Sequence, residues 1–243
     1  MNTNLKVVVC AAGQGKRISD ITTNCPKPMI KVGRKSILEY MLDNFSAFGL
    51  KEIIIIVGYQ AEHIVNSIGE KYKNCQITYI YNKDFESTNN IYSLWLAKKE
   101  ITNGMIFFNA DIILNRGIIK KVLSSVHQES IVVDFDHIIE DSVKAVYEGD
   151  NLIRIGKEVT GKKIGWAIGI YKLSQLASEK YFEISERLFE IEKNKNVSFV
   201  VPFEKMIKTF SIKAVPVDNL PWVEIDTLED YKYALKKIDS ILK

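Results

Sequence analysis

The sequence predicts an α/β fold of three layers, α/β/α, around a mostly parallel central sheet that ends as a mixed one. Three observations carry this. The first half alternates apolar strand-like runs with helix-like segments, which calls for right-handed crossovers between parallel strands. Its strand-like runs are continuously apolar instead of alternating, the mark of strands covered on both faces. The 243 residues are 47% hydrophobic, enough for one sizeable core, so 1–243 is expected to form a single domain.

The first predicted strand is 5–12 (LKVVVCAA), ending at Gly13. A loop over 13–35 leads to a helix at 36–48, where Ile37, Leu38, Met41, Leu42, Phe45 and Phe48 recur at helical spacing and Gly49 follows as its stop. A second apolar strand, 52–57 (EIIIIV), is halted by Gly58. A helix at 61–73 and a strand at 77–81 come next. The segment 90–99 reads as a short amphipathic helix, 104–110 as a buried strand with Asp111 at its edge, and 117–126 as a helix.

Beyond about residue 130 the rhythm changes to short β-like pieces at 130–135, 143–148, 152–155 and 165–171. Helices near 174–194 and 202–208, a strand at 212–217, an acidic segment at 222–226 and a helix from 228 to about 242 close the chain. We expect about 1–130 to bind a nucleotide and about 130–243 to shape the pocket for a second substrate.

Bulk composition excludes several classes. With 33 basic against 30 acidic residues, spread along the chain, the net charge of +3 predicts neither a nucleic-acid nor a membrane partner. No stretch approaches the roughly 20 apolar residues of a membrane span, and no secretory leader pattern is visible, so a cytoplasmic location is expected. Cys10, Cys25 and Cys75 have neither disulfide-framework nor zinc spacing.

Chemistry concentrates in a few places. Directly after the first strand stands Ala11-Ala12-Gly13-Gln14-Gly15-Lys16-Arg17, where two glycines let backbone N–H groups approach phosphate oxygens and two cations add charge. It is neither GxxxxGK[ST] nor GxGxxG, because Ser19 occupies the third glycine place. In Cys25-Pro26-Lys27-Pro28-Met29 two prolines stiffen the segment that aims Lys27. Asp111 ends an apolar strand, at the carboxyl edge of the sheet where ligands gather. In Trp222-Val223-Glu224-Ile225-Asp226 the two-residue period puts Glu224 and Asp226 on one strand face. Asn89, Asn90 and Ser93 lie in a segment whose amides suit the edge of a base, although asparagine also caps helices. Gly58 and Tyr59 are further candidates for that pocket. For the second substrate, Trp166, Tyr171 and Trp222 are candidates for an aromatic cage, with Asp134 nearby; each has a plain core or turn reading as well.

AAGQGKR followed by PKPM resembles the LAAGxGxRL…PKP signature of the sugar-phosphate nucleotidyltransferase superfamily, with Lys16 in the variable place and Ile18 where leucine is usual. IKVGRKSILEYMLDNF, EIIIIVGY and EIDTLEDY resemble that superfamily's first helix, second strand and late acidic segment. NNIYSLWL looks like its bacterial choline-phosphate and phosphonate cytidylyltransferase branch.

The resemblance implies a Rossmann-like, nucleotide-diphospho-sugar transferase-like fold. It implies Mg²⁺ as cofactor, held by Asp111 and Asp226 with Glu224 contributing, while Arg17 and Lys27 neutralise phosphate charge. CTP, or another NTP, and a small phosphorylated acceptor are the implied partners. The expected reaction is transfer of CMP with release of pyrophosphate, for decoration of a surface polysaccharide or lipid. The alternatives are a sugar-1-phosphate nucleotidyltransferase using UTP, dTTP or GTP, a non-catalytic nucleotide-binding domain, and, more distantly, a dinucleotide-dependent oxidoreductase. Acceptor identity and oligomeric state are not legible.

Overall fold

The computed structural model describes residues 5–22, 24–191 and 193–243. Its elements, in chain order, start with β1 (Lys6–Ala11), α1 (Ser19–Thr22), β2 (Lys31–Val32), β3 (Lys35–Ser36), α2 (Ile37–Ala47), β4 (Glu52–Val57), α3 (Ala61–Ile68), β5 (Lys71–Tyr72) and β6 (Cys75–Tyr81). Then come α4 (Asn90–Leu96), β7 (Met105–Asn109), β8 (Ile112–Leu114), α5 (Arg116–Ser124), β9 (Ser130–Asp134), β10 (Lys144–Glu148), β11 (Asn151–Gly156) and β12 (Lys163–Leu173). The last are α6 (Gln175–Glu190), α7 (Val201–Met206), β13 (Lys213–Pro216), β14 (Trp222–Glu224) and α8 (Leu228–Ile241).

Ten strands form one sheet in the order β10-β11-β13-β9-β12-β7-β1-β4-β6-β5. Three layers are present as expected, because alternate residues of the central strands serve different cores. Val8, Ile54 and Phe107 pack with residues of α4, α6 and α7, whereas Val7, Ile53 and Ile106 pack with α2, α3 and α5. A third core joins α8 to Val32, Ile113, Val223 and Ile225.

The expectation of a mostly parallel sheet needs correction. Parallel pairing holds across β7-β1-β4-β6 and between β9 and β13. The other pairings in this sheet are antiparallel. The reason lies in the connections: β10 and β11 are joined by a turn at Gly149-Asp150, far too short for the crossover that a parallel neighbour requires.

Helix ends also differ from the sequence reading. The first long helix starts as predicted, with Ser36 and Glu39 forming a reciprocal capping box. The helix expected over 61–73 stops at Ile68, since Lys71–Tyr72 pairs back onto β6 through a turn at Lys73. The strand β8 was not foreseen, nor its antiparallel pairing with β14, which sets Glu224 opposite Ile112 and Trp222 opposite Leu114. Among the described residues, no helix is long and apolar enough to cross a membrane.

Candidate active site

The turn after β1 is shaped by Gly15, whose φ of +63° is left-handed. A Cβ on Gly15 would sit 3.1 Å from the Lys27 Cβ, so the glycine also lets the Pro26-Lys27-Pro28 segment lie directly against the turn. Around this contact opens a cavity of about 220 Å³ lined by Ala11, Gly13, Gly15, Lys16, Arg17 and Lys27 from one side. Asn90, Asp111 and Asp226 close it from the other.

Lys27 is almost fully buried, and its ammonium bonds both Asp111 Oδ2 (2.8 Å) and Asp226 Oδ1. Burial alone would push its pKa down; the charges of the two aspartates outweigh that and hold it above the ordinary lysine value. Arg17 reaches Asp226 Oδ2 at 2.7 Å.

Asp111, Glu224 and Asp226 each offer an oxygen within 4.8 Å of the others. Pairing of β8 with β14 brings them together, reinforced by the Ile225 amide donating to the Asp111 carbonyl at 2.9 Å. Glu224 titrates at about 8, raised first by burial and then by the two neighbouring aspartates. Asp111 Oδ1 is buried without a hydrogen-bond partner among the described residues. Three convergent carboxylates, one with an orphaned oxygen and one made hard to ionise, form a set of hard oxygen donors that suits a divalent cation such as Mg²⁺.

A second cavity, of about 580 Å³, adjoins the first. Arg17, Asn90, Asp111 and Asp226 line both, so the two spaces meet beside the carboxylates. Trp166 and Tyr171 line the larger one as the sequence suggested. Its lining also includes residues the sequence reading passed over: Asn109, Asp141, Lys157, Ser198 and Phe199. Asn109 was within reach, standing at the end of β7 two places before Asp111. Asp141 and Lys157 come from a stretch without periodicity and carried no signal. Asp141 takes Arg17 (3.1 Å) and Lys157 (2.5 Å), which fastens the segment before β10 to the glycine turn.

Several candidates are placed elsewhere. Ala12, Gly58 and Tyr59 line neither cavity; the Tyr59 amide donates to the Ala12 carbonyl (3.0 Å), a tie between the ends of β1 and β4, and the Tyr59 ring packs on Phe85. Ser93 is buried, its hydroxyl accepting from Asn82 Nδ2 at 2.9 Å. Asn89 borders the larger cavity, but its side chain is turned to the Asn90 amide (2.7 Å) as the cap of α4.

Asp134 and Trp222 also stand outside the lining of the larger cavity. Asp134 is buried and satisfied, accepting from the backbone amides of Asp136 and His137 and from Trp222 Nε1 (2.8 Å). Trp222 in turn meets Trp166 edge-on at 4.6 Å. Asp134 therefore braces the wall of the cavity from behind.

Residues 6–145 match the sequence model of the Nucleotidyl transferase family. The chain belongs to that family. Among its relatives, a choline-phosphate cytidylyltransferase of Streptococcus pneumoniae is 25% identical, over 98% of this chain and 99% of the relative. A CTP:phosphoglutamine cytidylyltransferase of Campylobacter jejuni is also 25% identical, over 96% of this chain and all of the relative. The solved structure of the CTP:phosphocholine cytidylyltransferase LicC from Streptococcus pneumoniae superposes with a TM-score of 0.81 at 21% identity, covering 96% and 99% of the two chains. This nucleotidyltransferase thus shares their fold from end to end, which is the nucleotide-diphospho-sugar transferase-like architecture.

Proposed function

We propose that this nucleotidyltransferase moves CMP from CTP to a small phosphorylated or phosphonate acceptor and releases pyrophosphate. One observation carries the reading: Asp111, Glu224 and Asp226 converge where a cavity under the glycine turn meets a larger one. The smaller cavity would take the triphosphate and the larger the acceptor, so that about 1–130 handles the nucleotide and about 130–243 the acceptor. Preference for cytosine is supported by two relatives that are cytidylyltransferases.

In this mechanism, backbone amides at Gly13 and Gly15 cradle phosphate oxygens, and Lys16, Arg17 and Lys27 offset their charge. An oxygen of the acceptor phosphate, already anionic at neutral pH, attacks the α-phosphorus in line. The bond from that phosphorus to the bridging oxygen breaks, and pyrophosphate leaves with the electron pair. No general base is required, so the protein contributes positioning and charge neutralisation. Asp111, Asp226 and Glu224 would hold Mg²⁺, which, when bound, supplies a Lewis acid for the phosphate oxygens. Asn90, bordering both cavities, is placed to contact either reactant.

A cytoplasmic enzyme that activates a head group for a surface polysaccharide or lipid fits this chemistry. The test is pyrophosphate release with CTP, UTP, dTTP and GTP against phosphocholine, 2-aminoethylphosphonate, phospho-amides and sugar phosphates. CTP-dependent release with a non-sugar acceptor is expected. Release only with UTP, dTTP or GTP and a sugar 1-phosphate would replace this reading with its sugar-nucleotide counterpart. Binding of NTP with no release under any pairing would leave a non-catalytic nucleotide-binding protein.

A further inference from the structure

Two residues that line the larger cavity each carry a buried polar atom with no hydrogen-bond partner among the described residues. Tyr171 is 1% exposed, and its hydroxyl has no hydrogen-bond partner among the described residues. Asn109 Oδ1 is likewise buried and unpaired among them. Both residues line the cavity. Asn109 stands two places before Asp111 on β7, and Tyr171 pairs across from Phe107, two places further back. At about 3.3 Å per strand residue, the two lie progressively further along the sheet from Asp111. Asn109 is also held in place: its amide lies over Gly169, where a Cβ would come within 2.7 Å of Nδ2.

The same cavity is poorly built for an ammonium group. An aromatic cage needs free ring faces. The Tyr171 ring is packed by Phe107 (5.8 Å, 38°) and Phe203 (4.9 Å, 32°), with Phe199 edge-on at 5.3 Å, and Trp166 is met by Trp222. Carboxylates around the cavity other than Glu224, which belongs to the carboxylate cluster, are engaged as well. Asp141 takes Arg17 and Lys157, Asp111 and Asp226 take Lys27, and Asp230 accepts from the amides of Asp226 and Thr227.

We infer that the acceptor ends, away from its phosphate, in a neutral group that both donates and accepts hydrogen bonds, a hydroxyl or a primary carboxamide, held by Tyr171 Oη and Asn109 Oδ1. This rests on the transferase reading given above and names the substrate class of its acceptor site. Burial pushes the Tyr171 phenol far above its ordinary titration, so it remains a neutral donor and acceptor. A hydroxyl or amide on the acceptor would satisfy both orphaned atoms, whereas a trimethylammonium group would leave both unpaired. Sites built to hydrogen-bond an O–H or N–H discriminate strongly against analogues that lack it.

The test compares kcat/KM for 2-hydroxyethyl phosphate, glycolamide phosphate, phosphocholine, phosphoethanolamine and ethyl phosphate, with CTP and Mg²⁺, read by pyrophosphate release. Either or both of the first two should exceed the other three by about tenfold or more, and their ratio tells hydroxyl from amide. Tyr171→Phe and Asn109→Ala, checked for unchanged melting, should each erode that preference by about fivefold or more without moving the KM for CTP. Phosphocholine, phosphoethanolamine or ethyl phosphate reacting as well as both polar-headed acceptors would overturn the head-group assignment alone. So would a preference that survives in both variants. If none of these acceptors, nor those of the broader screen, released pyrophosphate from any nucleoside triphosphate, the transferase reading itself would fail, and this inference with it.

Discussion

The two sides of the central sheet were specified in different ways. On the β7-β1-β4-β6 side, strands are continuous apolar runs joined through helices, and functional candidates sit at strand ends a few residues from the run that places them. On the β9–β12 side, strands pair antiparallel across a shifted register, and β13 reaches β9 from about eighty positions away. Local pattern positions the glycine turn. Only long-range pairing makes the larger cavity. Under the proposed function, the wall around Trp166 and Tyr171 can change while the glycine turn is retained, although both cavities share Arg17, Asn90, Asp111 and Asp226.

That contrast can be broken most severely at the seam. Asp226→Ala should lower pyrophosphate release on the order of a thousandfold or more while the protein still melts cooperatively. Near-normal turnover would remove the carboxylate cluster from the mechanism. Lys27→Met should cost about a hundredfold in kcat. It should also lower Tm in EDTA, since the ammonium shared by Asp111 and Asp226 is gone, and Mg²⁺ should restore part of the loss.

Asp134→Ala should act on the acceptor side alone. It strips the acceptor from a Trp222 indole N–H and two backbone amides, costing about 1–3 kcal/mol of stability. The KM for the acceptor should rise and that for CTP stay constant; equal shifts in both would show that the two sides are not separable.

A smaller effect is expected from pH. Glu224 is pushed up to about 8 in the folded protein, above the ordinary glutamate value of 4.5, so the fold binds this proton more tightly than the unfolded chain does. Its contribution is therefore complete below about 4.5 and fades as pH rises towards 8. Melting of the metal-free protein should show a decline across that window which Glu224→Gln flattens. Mg²⁺, which favours the ionised form, should stabilise more at pH 8 than at pH 6. The least effect should come from Asp141→Asn. Its pairs with Arg17 and Lys157 are more than half exposed on every partner, and their loss should change stability by no more than about 1 kcal/mol.

From the sequence alone came the continuously apolar core strands, the glycine turn with its stiffened lysine, and the three carboxylates. In each case neighbouring residues impose the geometry through burial on both faces, proline-limited backbone or the two-residue strand period. Tertiary structure alone decided that β8 pairs with β14 and so gathers Asp111, Glu224 and Asp226, and that Ser93, Tyr59 and Asp134 serve the scaffold. It also decided that Asn109 and Tyr171, each with a buried and unpaired polar atom, line one cavity. Such outcomes depend on register between segments far apart in the chain, and no local periodicity encodes which distant strand a residue will meet.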